Sequence, residues 1–117
     1  MENVNETSSL IAGDKVSGTS VYTRTGENIG QIHDVMIDKK TGKVAYAVMS
    51  FGGFLGIGES YHPLPWRVLT YDPKMGGYVV DLDRNRLENA PRYRSADERD
   101  WYADRDRIDA YYLTPMI

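Results

Sequence analysis

Residues 29–51 read IGQIHDVMIDKKTGKVAYAVMSF, and the punctuation of this stretch decides the fold. In its first half His33, Val35 and Ile37 alternate with Asp34 and Asp38, the period of two that marks a half-buried strand. Ile32 and Met36 share the aspartate face, so that face is expected to be only partly solvated. The segment DKKTGK (38–43) then interrupts, its Thr41-Gly42 pair supplying a residue that accepts positive φ. VAYAVMSF (44–51) follows, apolar on both faces as a central strand should be. Two such runs around a short glycine turn predict a β-hairpin over roughly Ile29 to Phe51.

The flanks extend the same pattern. SVYTRTGENIG (20–30) holds a short β-rich run, a turn over Thr25–Asn28, and the start of the hairpin. On the other side, ESYHPLP (59–65) reads as a shorter strand, its prolines marking an edge or an exit. VLTYD (68–72) and YVVDL (78–82) are two more strands, separated by the turn signal of Pro73 and Gly76-Gly77. At Asp83 the composition changes. RNRLENAP (84–91) allows one short helical turn, stopped before Pro91. SADERDWYADRDRIDAYY (95–112) opens with Ser95 and Glu98 at capping-box spacing, and Trp101, Arg105, Ile108 and Tyr112 recur on one helical stripe. A break into two short helices is expected near Ala103. The expected architecture is all-β, a small, partly open barrel of five to six strands with a C-terminal amphipathic helical tail. The expected boundaries are a disordered tail over 1–8, the barrel over 9–94 and the helical tail over 95–117.

Composition narrows the chemistry. The 117 residues suffice for one core, with 41% hydrophobic and 26% charged residues and a net charge of −3 that exerts no global pull on nucleic acid. No cysteine is present, so neither disulfides nor thiolate chemistry is available. No apolar run approaches the roughly 20 residues of a membrane span. The polar, acidic start MENVNETSSL lacks the features of a secretory signal, which makes the cytoplasm the expected location.

Several sites can be weighed from the residues. GGFLGIG (52–58) packs four glycines into seven positions, but Glu59-Ser60-Tyr61 follows where a phosphate loop needs Lys-Ser or Lys-Thr and a helix. Gly52, Gly53, Gly56 and Gly58 therefore read as a structural bend that tucks Phe54, Leu55 and Ile57 onto the core. The two histidines, His33 and His62, lack any ligand spacing with each other or with Asp34, Asp38 and Glu59, so no metal and no cofactor is expected. No nucleophile elbow is present, and no catalytic residue is assigned. Arg84, Arg86, Arg92 and Arg94, with Tyr93 among them, form a basic and aromatic segment of the kind that holds single strands. The strand tyrosines Tyr22, Tyr46, Tyr71 and Tyr78 have no such basic neighbours, and nucleic acid is not the expected partner. The tail stripe of Trp101, Ile108 and Tyr112 can cover either the chain's own barrel or a second subunit, and the sequence leaves both open.

The ordered set GENIGQIHDVMID (26–38), TGKVAYAV (41–48), GGFLGIG (52–58), PLPW (63–66) and LENAPRY (87–93) resembles the PRC-barrel domain family over about residues 9–94. The closest likeness is to its stand-alone bacterial members. The resemblance implies a partly open barrel that acts as an assembly module without catalysis and contacts a protein partner. Other members are the cytoplasmic domain of the photosynthetic reaction-centre H subunit and the C-terminal domain of a ribosome-maturation protein. This sequence shows neither the former's membrane helix nor the latter's N-terminal domain, so neither role carries over. The expected function is thus a non-enzymatic barrel binding a protein partner or itself. Its candidate surface is Arg84, Arg86, Arg92, Tyr93, Arg94, Trp101, Ile108 and Tyr112. The alternatives are a small-molecule or ion-binding barrel with its mouth at the glycine bend and His62, and RNA-associated binding through Arg84 to Arg94.

Overall fold

The computed structural model describes residues 9–52 and 60–113. A four-residue helix α1 (Gly13–Val16) leads into strands β1 (Ser20–Thr23), β2 (Asn28–Ile37), β3 (Val44–Phe51), β4 (Ser60–Pro65), β5 (Leu69–Asp72) and β6 (Gly77–Val80). After them come α2 (Arg84–Glu88), the 3-10 turns Glu98–Asp100 and Tyr102–Asp104, and α3 (Arg105–Leu113). The six strands make one curled, half-barrel sheet in the order β4-β3-β2-β1-β6-β5. All neighbours run antiparallel except β1 and β6, which are parallel, with Val21 opposite Tyr78. No helix among the described residues is long and apolar enough to cross a membrane.

The β2–β3 hairpin forms where the sequence places it. The Asp38 carboxylate accepts from the N–H groups of Lys40 and Thr41 at 2.8 and 3.0 Å, and Gly42 takes φ +77°. Those two backbone donors hold the Asp38 carboxyl below the ordinary carboxylate range.

The simple alternation of β2 does not survive. Register against β3 shifts between Ile32 and Asp34, so His33 is an extra residue, and again between Met36 and Ile37. An inserted residue moves every following side chain to the opposite face. The residues after His33 are thus out of step with Ile32 before it: Ile32, expected on the half-solvated face, is fully buried, whereas Ile37, expected with Val35, is 58% exposed.

At the edge of the sheet, β4 shows why its prolines are tolerated. Tyr61 turns its backbone away from β3 and exchanges two hydrogen bonds with Tyr93, at 2.8 and 2.9 Å. By the period of two, Pro63 and Pro65 turn the same way, and proline has no N–H to leave unpaired. The outer side of β4 thus offers no open donor to a passing strand.

One core joins sheet and tail: Val21, Ile32, Val48, Leu64 and Val80 pack in one cluster with Trp101, Ile108 and Tyr112. Arg105, expected on that stripe, is exposed instead, because 3-10 turns precede it and change the angular step between Trp101 and α3. The Ser95–Glu98 capping box is likewise not formed. The Asp97 carboxylate caps the first 3-10 turn by accepting from the Arg99 N–H at 2.9 Å, and Ser95 Oγ accepts from the Asp97 N–H at 3.0 Å. The expected break near Ala103 falls within the second 3-10 turn, just before α3 begins.

Candidate functional site

The sheet's interior is filled by its own side chains, and its open side is closed by its own tail. The Trp101 indole lies edge-on to Tyr46 with centroids 5.4 Å apart, and its Nε1–H donates to the Ala96 carbonyl at 3.4 Å. The Tyr46 hydroxyl donates to Asp109 at 2.6 Å; burial and that carboxylate push the phenol above its ordinary range. Of the two occupants left open for the stripe of Trp101, Ile108 and Tyr112, the structure shows the chain's own sheet.

The arginine segment is divided among separate tasks. Arg84 donates to Glu27 at 2.5 Å and lies 3.8 Å from Glu88. Arg86 donates to the Tyr111 carbonyl at 2.7 Å with its guanidinium 4.1 Å from the Tyr111 ring centre, while the Tyr111 hydroxyl donates to the Arg86 carbonyl at 2.6 Å. Tyr93 ties the edge of β4 to the tail: its hydroxyl donates to Asp104 at 2.6 Å and accepts from Arg107 at 3.2 Å. Burial and the Asp104 carboxylate push its phenol up to about 12. Arg92 and Arg94 stay exposed outside these pairs.

The histidines stay apart in role. His33 is exposed, edge-on to Tyr61 at 5.1 Å. His62 is fully buried, edge-on to Phe51 at 5.2 Å, with Nε2 3.2 Å from Ser60 Oγ and Nδ1 without a partner among the described residues. Among the described residues no three His, Asp or Glu side chains gather to hold a metal. Gly52 takes φ +72°, as a bend requires, while Gly53, Gly56 and Gly58 lie outside the described residues, as does Glu59.

Burial, with the nearby Arg92 charge adding to it, pulls the His62 imidazole from 6.5 down to about 4. The unfolded chain takes up this proton near pH 6.5 and the folded chain only near 4, so the stabilisation is complete above the former and shrinks as pH falls toward the latter. About 2 kcal/mol should be lost between neutrality and about pH 5. Urea titrations of the natural chain and of His62→Leu across that range test this: only the natural chain should show that loss, and equal losses in both would reject His62 as its source.

Among its surface pockets the fold leaves a groove of about 560 Å³ between the β2–β3 tip and the tail. Met36, Ile37 and Ala45 line it from the hairpin and Tyr102 from the tail, and its charged lining is Asp38, Lys39, Lys40, Glu98 and Arg105. Tyr102 is 49% exposed, and the Arg105 guanidinium stacks 3.7 Å from its ring centre while Nε donates to the Tyr102 carbonyl at 3.0 Å. None of Ile37, Lys39, Lys40 or Tyr102 was singled out by the sequence. The available signal was an apolar residue at a strand end running into two lysines.

Residues 9–87 match the family described as PRC-barrel domain. No curated protein matches the chain. Among solved structures, the chain is similar to a putative 16S ribosomal RNA processing protein RimM from Pseudomonas aeruginosa, at 18% identity and a TM-score of 0.40. That alignment covers 68% of this chain and 48% of the other, so the chain spans about half the length of that protein.

Proposed function

We propose that this chain, which belongs to the PRC-barrel domain family, is a non-catalytic assembly module that holds a protein partner, or a second copy of itself, on its surface. The observation that carries this reading is where the unsatisfied apolar surface lies. The tail stripe is consumed internally, and of the large apolar side chains that stay exposed among the described residues (Leu10, Ile11, Ile37, Tyr102 and Leu113) Ile37 and Tyr102 share one groove with charged lining. An exposed aromatic beside an arginine is the composition of a protein contact surface.

RNA-associated binding through Arg84 to Arg94 is the weaker reading, since Arg84 and Arg86 are already engaged within the chain.

Photocrosslinking in the native cell tests the assignment. A photoreactive phenylalanine analogue at position 102 should give a discrete protein adduct, while the same group at Lys74, in the β5–β6 turn, should not. The absence of any adduct at 102, or the same adducts from both positions, would reject the groove as the contact surface. Nuclease-sensitive adducts would favour the RNA reading instead.

A further inference from the structure

Resting on the assembly-module reading, we propose that the groove's occupant is the same groove of a second copy of this chain, related by a twofold axis. The segments flanking the groove carry opposite net charge, while its charged lining is mixed, with Asp38, Lys39 and Lys40 from the hairpin and Glu98 and Arg105 from the tail. The hairpin tip holds Lys39, Lys40 and Lys43 against the single acid Asp38, whose carboxylate already caps the turn. The facing tail segment, 97–106, holds five acids against two arginines. Within that row Asp97 is engaged by Arg99, and Asp104 by Arg107 and Tyr93. Glu98, Asp100 and Asp106 enter no ion pair among the described residues, and neither do the three lysines.

Flanking segments of opposite net charge on the two sides of an apolar groove make such a surface its own complement. A twofold rotation about the groove lays each lysine tip over the other copy's acidic row, and it brings the two pairs of Ile37 and Tyr102 together. A polyanion such as a nucleic acid would satisfy the lysines but meet Glu98, Asp100 and Asp106 as like charges. A purely apolar ligand would leave both rims unpaired. The net charge of −3 on each copy opposes association at long range, so the dimer is a weak one held by local pairing and apolar contact.

Sedimentation equilibrium of the full chain is the test. At about 0.05 M salt a monomer–dimer equilibrium is expected, weakening as salt approaches about 0.5 M. The double variant Lys39→Glu/Lys40→Glu, with its melting temperature checked to confirm folding, should weaken the dimer at least about tenfold. Ile37→Asp should do the same. Mixing the lysine variant with Glu98→Lys/Asp100→Lys/Asp106→Lys should restore association as a heterodimer. A chain that stays monomeric at about 1 mM overturns the proposal, as does a dimer indifferent to all these substitutions. A monomer that still gives the adduct at position 102 sinks self-association alone, whereas a monomer with no adduct sinks the assembly-module reading with it.

Discussion

Trp101→Ala should lower the free energy of unfolding by about 3–5 kcal/mol, the largest loss expected of any single truncation in this chain. The indole is 1% exposed and is the largest fully buried side chain among the described residues. Its removal leaves a cavity between the tail and β3, strips the edge-on partner from Tyr46, and vacates the acceptor at Ala96. The hydrogen bond from Tyr46 to Asp109 spans the same seam and does not replace the lost area. Chemical denaturation with an unchanged m-value would read the loss directly. A loss below about 1 kcal/mol would show that the tail is not part of the cooperative core.

Gly30→Val should cost about 3 kcal/mol, at the upper end of what overpacking does. A Cβ at position 30 would lie 2.2 Å from the Ser50 carbonyl oxygen and 3.3 Å from its carbon. Both atoms are backbone of the adjacent strand and cannot rotate away, so β2 and β3 would have to part at the end of their ladder, where Gly30 faces Phe51. Gly77 is under the same restriction, 2.6 Å from the Ser20 oxygen. Gly13→Ala is the control: nothing lies within 4 Å of the added atom, and its effect should be near zero. If Gly30→Val melts where the natural chain does, the close approach of the strands is not what sets this position.

These two residues also show where sequence reading stops. The hairpin, the proline-bearing edge strand and the buried stripe are written locally, in alternation, turn residues and helical spacing, and they appear where those signals lie. The space beside Gly30 is set by a carbonyl twenty residues further along the chain, and no spacing reveals it. The bulge at His33 arises from how two registers fit each other, so alternation alone assigned Ile32 and Ile37 to the wrong exposures. Arg84 and Arg86 read as one patch with Arg92 and Arg94 because they are neighbours in sequence. A helical turn aims them at different partners, Glu27 and Tyr111. The groove was illegible for the converse reason: Ile37 and Tyr102 are distant in sequence and adjacent only in the fold.

The parallel pairing of β1 with β6 sets an order in time. Val21 meets Tyr78 only after the entire β2–β3–β4 meander and β5 exist between them. A nascent chain can close its central hairpin early, while the β1 edge waits bare for a strand that has not been made. Closing so long a loop is the slow step of such a topology, because its entropy is spent before its contacts form. Substitutions within the hairpin should therefore act mainly on how fast the chain folds, and those in the tail, if it docks after the sheet closes, on how fast it comes apart.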